Sequence, residues 1–238
     1  MISIDSLQTK IFADGADRQG MLEMYAKSFI SGFTTNPTLM RKAGIADYRD
    51  FARNVLCAIR DRPISFEVFS DDFCEMERQA RDIASWGPNV YVKIPVTNTR
   101  GEPSYDLIRC LSRSGVRVNV TAVLTLDQVE RAVDALGGGA PGNVSVFAGR
   151  IADTGRDPVP FVAEAVHIAS AAPRVEVIWA SPRELFNVVQ ADDAGCHIIT
   201  VTSDLLKKLP LLGKDLAELS LDTVKMFHDD AIKAGLCL

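Results

Sequence analysis

Asn89-Val90-Tyr91-Val92-Lys93-Ile94-Pro95-Val96 reads as a strand with a lysine inside it. A run of β-branched and aromatic residues closed by a proline predicts a buried strand. A lysine in such a run either reaches water or sits in an apolar interior. Burial penalises the ammonium form and makes the neutral, nucleophilic amine accessible near neutral pH. A catalyst that forms an imine needs that amine. The competing reading is an edge-strand lysine directed at solvent.

The same kind of segment recurs along the chain. Strands are predicted at Lys10–Asp14, Gly32–Thr35, Ile64–Phe69, Val90–Pro95, Arg117–Val123, Val144–Gly149, Val175–Ala180 and His197–Val201. Amphipathic helical stretches separate them, among them Asp71–Ser85, Tyr105–Ser114, Leu126–Leu136, Pro158–Ala171 and Arg183–Ala191. Eight strands alternating with helices, with no linker or low-complexity stretch, predict an α/β fold: a single (β/α)8 TIM barrel spanning 1–238. An open doubly wound sheet is the other solution, but no GxGxxG follows the first strand and no P-loop lysine motif occurs. Gly137-Gly138-Gly139 before Pro141 reads as a helix stop and turn. Beyond the eighth strand come a short helix (Ser203–Leu209), Pro210, and a helical extension over 214–238. In it Leu221, Val224, Phe227 and Ala231 recur at helical spacing. That extension exceeds what closes a barrel, so it either covers the mouth or packs on a neighbouring subunit.

Composition excludes several classes. The net charge of −5 over 238 residues leaves no basic excess for nucleic-acid binding. No apolar run approaches the roughly 18 residues of a membrane span, and Met1-Ile2-Ser3-Ile4-Asp5 lacks the pattern of a signal peptide. Cys57, Cys74, Cys110, Cys196 and Cys237 are scattered, as free thiols of a reducing cytoplasm would be. Cys196 and His197 are neighbours on a strand and point to opposite faces, so they do not predict a shared metal. His167 and His228 fall on predicted helices. Neither a metal nor a cofactor is expected.

In a barrel the C-terminal ends of the strands converge on one mouth. There the chain places Asp14, then Thr34-Thr35-Asn36-Pro37, Glu67, Lys93, Asn119 with Thr121, Phe147 with Arg150, and Ser181 with Arg183. Carbinolamine and iminium formation both need proton transfers, and Glu67 with Thr121 could hold the water that carries them. Asp14 could take a hydroxyl proton as a carbon–carbon bond breaks. Asn36 and Asn119 could hold substrate hydroxyls, and Arg150, Arg183 and Ser181 offer donors to a phosphate. Each residue also has a plainer reading. Asp14 could be a helix N-cap, Thr34–Pro37 a turn, and Glu67 an exposed strand residue. Asn119 and Thr121 could be core polar groups satisfied by the backbone. Arg150 and Arg183 could be surface partners of Asp153 and Glu184, and Ser181 before Pro182 a helix-start signal.

Taken together these segments resemble the transaldolase family over nearly the full length. Gly32-Phe33-Thr34-Thr35-Asn36-Pro37-Thr38-Leu39 is similar to the family's strand-2 signature. Tyr91–Pro95 resembles the segment that bears the Schiff-base lysine, and Ile11–Asp14 the one with the acid/base aspartate. Asn119-Val120-Thr121 is similar to the strand-5 Asn-x-Thr, and Ala194-Gly195-Cys196 to the small-residue turn before strand 8. Phe147–Ile151 and Ala180–Arg183 resemble the segments whose arginines contact phosphate. The resemblance implies metal-free class I chemistry on sugar phosphates, with Lys93, Asp14, Glu67 and Thr121 catalytic. Thr34, Asn36, Asn119, Phe147, Arg150, Ser181 and Arg183 would bind substrate. It also implies a homo-oligomer, commonly a pentamer-based ring or decamer with the last helix on a neighbour.

Two subfamilies are in play. Transaldolases move a dihydroxyacetone unit between sugar phosphates; the short fructose-6-phosphate aldolases cleave to free dihydroxyacetone. Length resembles the short forms. Glu67 stands where those aldolases usually carry glutamine, and Phe147 where they use an acid/base tyrosine, which points to transfer. Trp179 and Pro182 depart from typical members at the end of strand 7. They leave room for a biosynthetic aldolase acting on another sugar phosphate. A sugar-phosphate binding protein is the non-enzymatic reading, against which Lys93, Asp14 and Glu67 argue, since binding needs no buried lysine.

Overall fold

The computed structural model describes residues 3–235. Met1 and Ile2 of the N-terminal reading, Cys237, and the last three residues of the 214–238 extension lie outside the described residues. Eight parallel strands close into a barrel in chain order. They are β1 (Lys10–Asp14), β2 (Ile30–Thr34), β3 (Ile64–Glu67), β4 (Val90–Pro95), β5 (Val118–Val123), β6 (Gly142–Val146), β7 (Val175–Trp179) and β8 (Ile198–Thr202). The helices are α1 (Arg18–Tyr25), α2 (Pro37–Lys42), α3 (Tyr48–Ala58), α4 (Phe73–Ala84), α5 (Tyr105–Arg113) and α6 (Leu126–Leu136). Then follow α7 (Ala148–Ala152), α8 (Pro158–Ala169), α9 (Phe186–Asp193), α10 (Ser203–Leu206) and α11 (Leu216–Lys233).

Short polar residues start the helices. The side chains of Asp17, Asn36, Asp47, Asp72, Thr125, Asp157 and Asp215 each accept a first-turn backbone N–H. Pro37 and Pro158 occupy first-turn positions, where no N–H is missed. Gly137 ends α6, and Gly138 turns the chain at φ 71°. Most boundaries shift by one to three residues from the sequence reading, β2 starting at Ile30 rather than Gly32 among them, and the shifts that bear on the site are these. β3 stops at Glu67 rather than Phe69, and α9 begins at Phe186 rather than Arg183. β6 ends at Val146, and Ala148–Ala152 is helical where a strand through Gly149 was expected. The apolar run Val146-Phe147-Ala148 continues the strand pattern, but the backbone turns inward at Phe147 into a helix.

Side chains alternate between the helical layer and the barrel interior. Register pairs carry one parity around the barrel: Asp14 with Thr34, Glu67 with Lys93, Lys93 with Asn119, Asn119 with Asn143, Asn143 with Glu176, and Phe12 with Thr200. The opposite parity buries Ile11, Phe33, Phe66, Val92, Val120, Val144, Val177 and Trp179 in the main apolar core. Inside the barrel the apolar content is small, a cluster of Phe12, Ile178 and Ile198. Gly32 makes that cluster possible, since a Cβ there would lie 2.5 Å from the Phe12 ring. At the N-terminal end Lys10 pairs with Glu176 at 2.6 Å. Above Phe12 the interior is polar up to the mouth.

Candidate active site

Lys93 is only 6% exposed, and its Nζ lies inside the barrel. It is 3.1 Å from Glu67 Oε2 and donates to the Thr35 carbonyl at 2.9 Å. The edge-strand reading of Lys93 and the exposed reading of Glu67 both fall to this pair. Adjacent register positions in β3 and β4 put the two side chains on one face.

Asp14 ends β1 and faces the same space. It is not a helix cap: Asp17 caps α1. Thr34 Oγ1 donates to Asp14 Oδ1 at 2.7 Å, and Asn36 Nδ2 to Oδ2 at 3.3 Å. Asn36 does two jobs, because its Oδ1 also accepts the Leu39 N–H at 2.9 Å and so starts α2. Burial pushes the Asp14 carboxyl above the usual carboxylate range, against the Lys93 charge and the two hydrogen bonds. A carboxylate of raised basicity suits a group that must accept a hydroxyl proton.

Asn119 is fully buried and bonded by side chains rather than backbone. Its Nδ2 donates to Ser65 Oγ at 3.1 Å, and its Oδ1 accepts from Ser145 Oγ at 2.7 Å. Thr121 sits where the register of β5 on β6 slips, next to Ala122 at φ 61°. Bulges of this kind re-aim side chains beside active sites. The Thr121 hydroxyl is buried without a hydrogen-bond partner, as a group reserved for water or substrate would be.

The strand-6 and strand-7 residues form a second, more exposed cluster. The Arg150 guanidinium lies over the Phe147 ring, 5.6 Å from its centroid. It makes no ion pair among the described residues, so its expected surface partners are not engaged. Arg183 does follow the plainer reading. Its Nε donates to Asp153 Oδ1 at 2.9 Å, its Nη2 also meets Asp153, and its Nη1 donates to Ser181 Oγ at 3.0 Å. The Arg183 hydrogen bonds hold the Asp153 carboxyl below the usual range. Ser181 takes a left-handed φ of 62° directly before Pro182. Its carbonyl occupies the place where a Gly149 Cβ would stand, at 1.6 Å. Gly149 is thus obligatory for the contact between the two loops.

Beside Asp14 opens a cavity of about 420 Å³, bounded by Met21, Met24, Leu39, Lys42, Asp204 and Leu206. Sequence reasoning missed several polar groups that hold the site: Ser65, Ser145 and Thr200, which pairs with the Thr34 hydroxyl. It also missed Asn187, whose Oδ1 accepts the Arg183 N–H at 2.7 Å. The signal for Ser65 was its place two residues before Glu67, hence on the same face.

A family model described as transaldolase/fructose-6-phosphate aldolase matches residues 11–236. A probable transaldolase from Dehalococcoides mccartyi is 35% identical over 217 residues, covering 90% of this chain and 97% of the relative. One from Methanococcus maripaludis is 36% identical over 203 residues, covering 84% and 89%. One from Caldicellulosiruptor saccharolyticus is 37% identical over 204 residues, covering 84% and 88%. With a buried lysine paired to a glutamate inside a parallel barrel, the chain belongs to the transaldolase/fructose-6-phosphate aldolase family and is an enzyme of the class I, lysine Schiff-base type.

Proposed function

We propose that this enzyme transfers a dihydroxyacetone unit between sugar phosphates. The observation that carries the reading is the Lys93 amine, buried between the Glu67 carboxylate and the Thr35 carbonyl in the barrel that also holds Asp14. Lys93 attacks the ketose carbonyl. Glu67 and a water held by Thr121 move the protons that turn the carbinolamine into an iminium. Asp14 takes the C4 hydroxyl proton, the C3–C4 bond breaks, and its electrons flow into the iminium to leave an enamine on Lys93. The aldose phosphate departs. The enamine carbon then attacks an acceptor aldehyde, whose oxygen takes the proton from Asp14, and water hydrolyses the resulting iminium to release the new ketose phosphate and the Lys93 amine. Thr34 and Asn36 hold Asp14, Asn119 and Ser181 face the hydroxyls of the three-carbon unit, and Arg150 with Arg183 receives the phosphate. Phe147 favours transfer over free aldol cleavage, because a phenyl ring cannot protonate the enamine.

The test is borohydride trapping with fructose 6-phosphate, read by intact mass and peptide mapping, with and without erythrose 4-phosphate before the quench. The expected result is an adduct on Lys93 that the acceptor discharges into a new ketose phosphate. Release of free dihydroxyacetone without transfer would refute the transferase reading. No adduct from a folded sample would refute the imine.

The enzyme is proposed to be a homo-oligomer of the cytoplasm. None of the side chains of α11 is buried on its own chain, and Leu216, Leu221, Val224, Met226, Phe227 and Ile232 stand exposed along it. Such a surface favours burial on another subunit. Cys57, Cys74, Cys110 and Cys196 are free thiols, as in a reducing compartment. No helix among the described residues is long and apolar enough to cross a membrane. A chain ending after Gly213 is expected to run as a smaller species by light scattering; an unchanged mass would reject α11 as the contact. A pentamer or decamer is the expected intact form.

A further inference from the structure

The ladder between β2 and β3 breaks at the active site, and the break is filled by a side chain from α3. In a parallel pair, each participating residue donates its N–H to one carbonyl of the neighbour, and its own carbonyl accepts an N–H two residues further along. Phe33 N–H donates to the Pro63 carbonyl at 2.8 Å, and Thr35 N–H to the Ser65 carbonyl at 3.1 Å. Continued by the same rule, Glu67 N–H would donate to the Thr35 carbonyl, and the N–H of residue 37 to the Glu67 carbonyl. Neither rung forms. Residue 37 is a proline and has no N–H. The Thr35 carbonyl is turned to Lys93 Nζ, at 2.9 Å.

Both orphaned groups of Glu67 are taken by one hydroxyl. Glu67 N–H donates to Tyr48 Oη at 2.7 Å, and Tyr48 Oη donates to the Glu67 carbonyl at 3.1 Å. The ring that carries this hydroxyl is clamped by aromatic neighbours. Its centroid lies 6.0 Å from Phe66, 4.6 Å from Phe69 and 5.5 Å from Trp86. Burial, the largest influence on it, raises the phenol above its ordinary range, so it stays protonated and can donate.

We propose that Tyr48 is a positioning residue for the catalytic amine: its hydroxyl takes the two backbone groups of Glu67, which leaves the Thr35 carbonyl free to hold Lys93 beside the Glu67 carboxylate. Without the hydroxyl, the part-buried Glu67 N–H is left unpaired, which is unfavourable until it finds another acceptor. The nearest remedy is the missing rung, Glu67 N–H to the Thr35 carbonyl. That would take the acceptor from Lys93 and rotate the Glu67 carboxylate away from it. Tyr48 packs on Phe66 and Trp86 and meets Glu67 only through its backbone, so its loss is expected to slow imine formation without weakening substrate binding. The inference rests on the imine reading of Lys93.

Tyr48→Phe tests it by rapid-quench borohydride trapping with fructose 6-phosphate, beside the unaltered enzyme. The limiting trapping rate is expected to fall roughly tenfold or more, the scale of a misplaced proton-transfer partner. The half-saturating ketose concentration is expected to hold steady. A limiting rate equal to that of the unaltered enzyme overturns the proposal. So does a parallel loss of saturation and rate, which is the mark of general loosening. If the unaltered enzyme forms no adduct, the imine reading itself falls, and this proposal with it. Should Tyr48→Phe fail to fold, Phe69→Ala replaces it. Phe69 is 54% exposed and contributes only its ring against Tyr48. A smaller drop in the same limiting rate supports the proposal, and an unchanged rate overturns it.

Discussion

Lys93→Met yields no borohydride-stable adduct with fructose 6-phosphate and loses transfer by at least ~10⁴-fold. Methionine keeps the length and apolar stem of the side chain but has no nucleophilic nitrogen. Nothing else in the interior can take over: Lys42 lines the cavity beside Asp14 but is exposed, Lys10 lies at the opposite end of the barrel, paired to Glu176, and among the described residues Lys93 is the only buried lysine. The substitution also has a structural effect. Glu67 keeps its place beside the site, with 18% of its side chain exposed, and loses the Lys93 nitrogen 3.1 Å away. A carboxylate left without its buried partner costs about 3 kcal/mol or more. Lys93→Met therefore melts earlier than the unaltered enzyme, and adding Glu67→Gln recovers part of the loss while activity stays absent. Residual turnover above background in the single variant would contradict the assignment of Lys93.

Asp14→Asn separates catalysis from stability in opposite directions. Transfer falls by roughly 10²–10⁴, since the amide cannot accept the hydroxyl proton that bond cleavage releases. Stability moves the other way as pH rises. Burial raises the folded-state affinity of Asp14 for its proton above that of an ordinary aspartate, whose reference value is 3.8. The native state then binds the proton more tightly than the unfolded chain. The stabilisation is fully present below the unfolded value and is lost as pH climbs through the raised folded value. An asparagine has no such titration. At low pH the variant shows only the fixed cost of setting its amide N–H groups against Asn36; at neutral pH it gains relative to the parent. Melting curves at several pH values should show the difference between variant and parent rising with pH and then levelling. A difference independent of pH would mean that Asp14 ionises as freely in the fold as out of it.

These effects centre on residues that the sequence already marked, and the reason is that barrel chemistry sits at strand ends. Lys93, Glu67, Asp14 and Asn119 stand out because each is a polar side chain within a run of β-branched or aromatic residues. The strands were legible for the same reason, with the barrel following from their count. The end of β6 was not, because Phe147-Ala148-Gly149 carries the composition of a strand, and the Ser181 carbonyl packed on Gly149 leaves no mark in the local sequence. Ser65, Ser145 and Thr200 were passed over because a small hydroxyl in a strand has no local mark of what it will touch. Tyr48 lies further still from legibility. Its role depends on α3 packing across the gap between two strands, and on a rung that Pro37 cannot form. For Arg183 the segment was legible as a motif, while the Asp153 carboxylate that holds its guanidinium beside Ser181 was offered only as a plain surface partner.

The carbonyl of Ser181 fits against Gly149 with no room for a single added carbon, and Gly149 N–H reaches back to the Ala180 carbonyl at 3.4 Å. The loops after β6 and β7 are therefore one interlocking part, although 30 residues of chain separate Asp153 from Arg183. Anyone grafting a different loop at this end of the barrel must exchange both segments as a matched pair. A library that varies either loop alone will return mostly misfolded or misaligned variants. A change in either loop is therefore tied to a change in the other.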